Sequence, residues 1–321
     1  MTGAGRAFVT GIGGQDGGYL AERLVADGVR VHALVLPHDD PPQVPDDVVL
    51  HAGDVCDVEA TRALLLELAP DEVYNLAAVS SVAQSWEWPD LAALVNGTAA
   101  VALLESAYRV QEKVGRPVAF VQASSAEIFG QPPSSPQDER TPVHPLNPYG
   151  AAKAYAHLMV DVYRTRGLHA SSLVLYNHES PRRPDRFVTR KITRGVAAIA
   201  RGDATSLTLG NLDARRDWGW APDYVDAMVR AARADRPDDF VVATGTSHSV
   251  RELVAVAFAR AGVDDWERLV DVDPALVRPV DATELVGDAG RARRMLGWAP
   301  TLTFEDVVAR LVDAELERLS R

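Results

Sequence analysis

The sequence predicts an α/β protein built on a doubly wound parallel sheet, with a smaller mixed α/β substrate-binding unit toward the C-terminus. Two observations carry this. Through the first 176 residues, short apolar runs alternate with amphipathic stretches, the pattern of repeated strand–helix–strand units. The first run, RAFVT at residues 6–10, leads directly into a glycine-rich turn and then a helical pattern. That arrangement opens a dinucleotide-binding βαβ unit, so the sheet is expected to be Rossmann-like.

Each element follows in order. After the first strand, Gly11, Gly14 and Gly17 make a G-x-x-G-x-x-G turn. Glycines let the backbone approach a pyrophosphate, and the next helix offers free N–H groups. A helical pattern covers 19–27, Gly28 stops it, and 29–36 (VRVHALVL) is the second strand. An acid at the end of that strand binds a ribose 2′-hydroxyl, whereas an arginine binds a 2′-phosphate. Here the chain continues Leu36-Pro37-His38-Asp39-Asp40, which leaves NAD and NADP both open. Residues 48–54 form a third strand that brings Asp54 toward the adenine edge. A helix over 59–68 precedes a fourth strand, DEVYNLAA, whose small terminal residues let a flat cofactor lie against the backbone. Residues 90–110 make a long helix containing Asn96 and Gly97, and 117–124 the fifth strand. A helix ending near residue 165 and a sixth strand over 169–177 complete the first unit. Farther on, 235–245 reads as a strand, 246–262 as an amphipathic helix capped by Ser249, and 304–319 as a closing helix. The division expected is a dinucleotide-binding unit over 1–176, to which 214–245 returns, and a second unit mainly over 177–321 that takes the substrate.

The chemistry concentrates between residues 120 and 155, where Ser125, Glu127, Tyr149 and Lys153 stand. Tyr149 and Lys153 are four apart and share one face of a helix. A tyrosine accepts protons near neutral pH only when its phenolate is stabilised, as a lysine and a serine hydroxyl can do. Of 33 Lys+Arg, three are lysines: Lys113, Lys153 and Lys191. In a chain so poor in lysine, Lys153 is singled out as a compact charge that shares a proton network.

Composition sets outer limits. Apolar content of 47% and charged content of 24% are ordinary for a globular protein. The net charge of −12 disfavours nucleic acid. One cysteine, Cys56, excludes an internal disulfide and a cysteine-based metal site, and no metal is expected. No basic leader and no uninterrupted apolar run of about 18 residues is read, so a cytoplasmic enzyme without membrane attachment is expected. Arg182, Arg183, Arg186, Arg190, Lys191 and Arg194 form the densest positive run, read either as a solvated face or as a diphosphate site. Trp218, Trp220 and Trp298 are core or base-stacking candidates.

The glycine turn, Asn75-Leu76-Ala77-Ala78 and Tyr149-x3-Lys153 resemble the extended short-chain dehydrogenase/reductase superfamily. The blocks VQASSAEIFG, NPYGAAKAYAH, YNHESPRRPDRFVTRKITR and LGNLDARRDWGWAPDYVDAM are similar, more narrowly, to the GDP-mannose 4,6-dehydratase family. The resemblance implies a redox-neutral dehydration of a GDP-sugar. Tyr149 would take the C4 hydroxyl proton as hydride passes to the nicotinamide, and Ser125 would hydrogen-bond the sugar O4. Lys153 would hold the ribose and lower the Tyr149 pKa. Glu127 would remove the C5 proton and help expel the C6 hydroxyl, after which hydride returns to C6. A carboxylate at Glu127 suits elimination, whereas related epimerases carry a small or hydroxyl residue there. Cofactor contacts implied by the same resemblance are Gly11, Gly14, Gln15, Asp16, Asp54, Val55, Leu76, Ala77, Ser80, Lys153, His178 and Arg183. Nucleotide-sugar contacts would be Ser80, Asn177, Val188, Lys191, Gly210, Asn211, Arg216 and Arg278.

Four departures from the family pattern stand out. Leu36-Pro37 replaces an arginine pair that grips the 2′-phosphate, so NADP, implied by resemblance, competes with NAD. The loop beyond is shorter, which places a homodimer ahead of a tetramer. Leu91 replaces a tyrosine, and Val79-Ser80-Ser81 replaces Gln-Ser-His, so a different GDP-sugar such as a GDP-heptose is an alternative substrate. Further alternatives are a nucleotide-sugar epimerase and a non-catalytic nucleotide-binding regulator.

Overall fold

The computed structural model describes residues 5–38, 40, 42–276 and 284–320. Its elements run β1 Arg6–Thr10, α1 Gln15–Ala26, β2 Arg30–Val35, β3 Val49–Ala52, α2 Val58–Leu68, β4 Glu72–Asn75, α3 Val82–Glu87, α4 Pro89–Ala93 and α5 Ala100–Val114. Then come β5 Ala119–Ser125, α6 Pro148–Thr165, β6 His169–Leu175, β7 Asn177–Glu179, α7 Val188–Ala200, β8 Leu207–Leu209, β9 Arg215–Trp220 and α8 Ala221–Ala232. The chain finishes with β10 Asp239–Val242, β11 Ser247–Ser249, α9 Val250–Arg260, β12 Val270–Val272, β13 Glu284–Leu285, α10 Gly290–Leu296 and α11 Phe304–Ser320.

Among the described residues, seven strands form one parallel sheet in the order β10-β6-β5-β4-β1-β2-β3. Alternation along each strand sends neighbours to opposite faces. Ala7 and Val9 therefore pack with Leu20, Leu24, Val225 and Met228 under α1 and α8. Phe8, Val73 and Phe120 pack with Leu65, Leu104 and Val160 under α2, α5 and α6. Both faces are covered, as parallel sheets require. The connections reverse direction between β1 and β4, and ligands settle at such a reversal beyond the strands' carboxyl ends. A third core, around Ile192, Trp218, Phe258 and Phe304, lies between α7, α9 and α11 beside a second sheet in which β7, β11 and β13 all pair with β9. Trp218 and Trp298 are core residues, and Trp220 stands under the Arg310 guanidinium, 5.6 Å from its ring.

The structure departs from several sequence expectations. Helix α1 starts at Gln15 rather than residue 19: Gly17 lies against the Gly11 and Ile12 backbone, and neither it nor Gly18 breaks the helix. The expected sixth strand splits into β6 and β7, which join different sheets. The long helix runs continuously from α4 through a π-helical turn, Leu94–Ala99, into α5. An 18-residue window within Pro89–Val114 reaches a mean hydropathy of 1.3, so this helix is long and apolar enough to span a membrane by length and composition alone, although half of that window is buried. Its apolarity serves the core, since one side packs against α2 and α6. Ser249 caps α9 as expected, with a full capping box to Glu252.

Asp217 on β9 is fully buried and accepts from the Thr244 amide and hydroxyl and from the amides of Gly245 and Gly287. Burial raises its pKa against these donors. Asp217→Ala strands several buried donors and should cost about 3 kcal/mol, read as a lower urea midpoint with an unchanged slope.

Candidate active site

The glycine turn is shaped by backbone contact. Gly11 has φ +71°, and a Cβ there would stand 2.6 Å from the Leu76 carbonyl carbon. A Cβ on Gly17 would stand 2.4 Å from the Gly11 oxygen. Gly14 precedes α1, and no side chain caps that helix start. Its first amides and the dipole therefore face a cavity of about 1000 Å³. Gly11, Gly14, Gln15, Asp54, Val55 and Ala77 line this cavity, and Leu76 lies against Gly11 behind it. A narrow backbone cradle, an uncapped helix start and an elongated cavity fit a dinucleotide. Beneath it the Thr10 hydroxyl donates to Asn75 at 2.7 Å and accepts from the Ala77 amide, and Asn75 donates to Gln122 at 2.9 Å. This buried relay holds the carboxyl ends of β1, β4 and β5 in register.

Asp16 and His178 meet at 2.8 Å beside the turn. The other ring nitrogen of His178 bonds the Tyr176 carbonyl at 2.7 Å, and its ring stacks on Tyr224. Gln15 donates to the His178 carbonyl and accepts from Ser180. Burial pushes the Asp16 carboxyl up, but the charge and hydrogen bond of His178 outweigh it and the pKa ends below its usual 3.8. Burial pushes the imidazole down, yet Asp16 carries it above 6.5. The Arg183 charge also acts on this pair, and its guanidinium lies 3.2 Å from buried Glu179 and over the Phe187 ring.

The four expected catalytic residues come together. Ser125 ends β5, and Glu127 stands in the tight turn Ala126–Ile128 that follows. Tyr149 and Lys153 occupy successive turns of α6, which Asn147 caps. Asn147 is a candidate site residue that the sequence reading did not single out. It accepts from the Gly150 amide and donates to Glu127 at 2.8 Å, so one side chain starts the helix and orients the carboxylate. The signal was an asparagine directly before proline at a helix start. Burial lifts Tyr149 to about 12; the Ser125 hydrogen bond opposes that lift and the Glu127 charge adds to it. Burial drops Lys153 to about 8, with Asp16 as the opposing charge. Lys153 donates to the Ala123 carbonyl at 2.8 Å, 5.9 Å from the Tyr149 ring centre. Against the lift of Tyr149 stand the Ser125 hydroxyl and, more weakly, the Arg183 charge. Asn96, noted within the long helix, sits in the π-helical turn and clamps the Val79 amide and carbonyl. It fixes the loop that carries Ser80.

The basic run is mostly neutralised. Arg182 pairs with Glu22, Arg190 with Glu315, and Arg194 with Asp185. Arg186 donates to Ser80, and exposed Lys191 has no acidic partner among the described residues. The reading of the whole run as a diphosphate site narrows to Arg186 and Lys191. Val188 and Lys191 stand at the start of α7, which lacks a side-chain cap. Asn177 is on β7, and Gly210 packs against the Leu276 backbone. Exposed Asn211 accepts from the Asp213 amide, and buried Arg216 on β9 donates to the Arg215 carbonyl. Arg278 lies outside the described residues.

Comparison with known proteins gives a consistent picture. The family model described as GDP-mannose 4,6 dehydratase matches residues 8–311. A curated relative from Arabidopsis thaliana, GDP-mannose 4,6 dehydratase 1, is 46% identical over 98% of this chain and 91% of its own length. The Homo sapiens GDP-mannose 4,6 dehydratase is 39% identical, covering 97% of this chain and 91% of its own. Among solved structures, the Thermus thermophilus UDP-glucose 4-epimerase in complex with NAD superposes with a TM-score of 0.84 at 28% identity, covering 97% and 98% of the two chains.

The Asp16–His178 pair predicts a pH signature. Its carboxylate part is present above pH 3.8 and is lost as pH falls through the depressed pKa. Its imidazole part is present below pH 6.5 and is lost as pH rises through the raised pKa. Asp16→Asn should cost about 2 kcal/mol between those values, and the cost should shrink at higher pH. Melting temperatures of both proteins from about pH 5 to about pH 9 check this; a gap that never narrows would contradict it.

Proposed function

We infer the function from kinship and site together: this chain belongs to the GDP-mannose 4,6-dehydratase family and is a nicotinamide-dependent nucleotide-sugar 4,6-dehydratase. It converts GDP-D-mannose to GDP-4-dehydro-6-deoxy-D-mannose and water. The observation that carries this is Glu127, held by Asn147 and acting electrostatically on Tyr149, at the carboxyl end of β5.

We assign the residues these roles. Tyr149, whose phenolate Ser125 favours, accepts the C4 hydroxyl proton, and Ser125 then donates to the developing O4 charge. Lys153, fixed on the Ala123 carbonyl, holds the ribose and supplies the nearby positive charge. The bound nicotinamide, NADP or NAD, supplies a reversible two-electron acceptor, so oxidation at C4 and reduction at C6 cancel. Glu127 removes the C5 proton that the C4 ketone has acidified and passes it to the C6 hydroxyl, which departs as water, and the proton held by Tyr149 is the one left to restore C5 as C6 is reduced. The glycine turn, Gln15, Asp16, Asp54, Val55, Leu76, Ala77, His178 and Arg183 hold the cofactor. Ser80, Asn177, Val188, Lys191, Gly210, Asn211, Arg216 and Arg278 hold the nucleotide-sugar. The unit over 1–176, with 214–245, carries the cofactor, and 177–321 mainly carries the substrate.

A homodimer is part of this reading. Tyr155, 48% exposed, and Leu158, 55% exposed, stand with Val162 on α6 beside Leu94 and form an apolar face on adjacent helices. Such a face suits a second copy in a two-fold helical bundle.

Two outcomes check these assignments. Glu127→Gln should keep nucleotide binding and lower turnover about 10³-fold. Incubation with GDP-mannose, followed by keto-sugar absorbance and the mass loss of one water, reads the result. Unchanged turnover removes the role of Glu127, and a product of unchanged mass would mean epimerisation. A panel of GDP-sugars tests the heptose alternative in the same assay. Leu158→Glu should halve the particle mass in light scattering; an unchanged mass would place the dimer elsewhere.

A further inference from the structure

The cofactor cavity is unevenly charged. Its pyrophosphate end has the glycine turn and the start of α1. Its opposite end, where β2 and β3 finish, is lined by Leu34, Leu36, Gly53 and Asp54, and Asp40 also lines the cavity. Leu36 is the first residue past β2, the position that meets the adenosine ribose in this fold. It is 47% exposed and aliphatic. The Gly53 amide donates to the Val35 carbonyl at 2.9 Å and ties the two strand ends together. The Asp54 carboxylate accepts from the Cys56 amide at 2.8 Å and is thereby fixed at this end. Among the described lining residues, Arg182 is the one cation. It is committed elsewhere: it donates to Glu22 at 2.6 Å, stacks 4.0 Å over the Tyr19 ring and lies against Gly18 on α1. His38, two residues past Leu36, is exposed and does not line the cavity.

A 2′-phosphate adds nearly two negative charges and needs cationic donors in return. A 2′-hydroxyl is neutral and needs only an acceptor, which a carboxylate provides. We propose that this cavity selects NAD over NADP, with Leu36 leaving a 2′-phosphate unpaired and Asp40 and Asp54 repelling it. The proposal rests on the nicotinamide-dependent reading above and specifies its cofactor. Leu36 and Asp40 are specificity-determining residues that take no part in the chemistry.

The test is direct. The nucleotide that copurifies with the full chain is released and identified by mass. The exchanged protein is then titrated by calorimetry with NAD⁺, NADP⁺, 5′-ADP and 2′,5′-ADP. NAD⁺ and 5′-ADP should bind about tenfold or more tighter than their 2′-phosphorylated counterparts, about 1.4 kcal/mol. Leu36→Arg, and independently Asp40→Lys at an exposed position, should each shrink that ratio by about tenfold. NADP⁺ binding as tightly as NAD⁺ to the unaltered chain would overturn the proposal, as would an unchanged ratio in both folded variants. If neither dinucleotide binds, this proposal and the dehydratase reading fall together. Preference for NAD⁺ without turnover of GDP-mannose would uphold the selectivity and remove the proposed function alone.

Discussion

The contact between Asp16 and His178 ties this molecule together. Asp16 stands in the first turn of α1, directly after the glycine turn, and His178 on β7, which pairs with β9 in the second sheet. One hydrogen bond across 162 residues therefore couples the large sheet to the smaller one at the edge of the cofactor cavity. Gln15 and Ser180 repeat the link on either side, and stacking on Tyr224 fixes the imidazole plane. A carboxylate so placed would be unstable alone, and the imidazole makes its burial tolerable.

The same pair shapes the reactive group beyond it. Burial drives both Lys153 and Tyr149 toward their neutral forms, and Asp16 is the nearby charge that favours the lysine's ammonium. Ser125, with the Arg183 charge behind it, favours a phenolate at Tyr149. The candidate proton-transfer groups thus lie close to one another, Lys153 on the Ala123 carbonyl and 5.9 Å from the Tyr149 ring centre. Glu127 is handled differently: it is held by Asn147 and left partly open toward the crevice. One carboxylate braces the scaffold, and the other is left available for chemistry.

Local pattern was enough for much of this. Alternation of strand and helix, the glycine spacing and the Tyr149–Lys153 interval each depend on residues a few positions apart, so they were legible in the chain. The strand carrying Ser125 and the helix carrying Tyr149 lie where the pattern put them. The start of α1 was misplaced because glycines read as breakers, whereas here they allow backbone contact with Ile12 and Leu76. The break between β6 and β7 was invisible because both halves are extended, and only their partners differ. The pairing of Arg182 with Glu22 and of Arg190 with Glu315 was not legible in the run, because those partners are distant in sequence and near only in space.

By itself, the order of residues determined the class of fold and marked the candidate reactive groups, because periodicity and short spacing are properties of a single segment. Tertiary structure decided how those groups are charged and which of them touch. Asn147 reaching Glu127, Asn96 clamping Val79 and Lys153 turning to Ala123 all join segments that meet only when the sheet closes. Desolvation is likewise a property of the assembled core, and it moves Tyr149 and Lys153 away from their ordinary titration ranges.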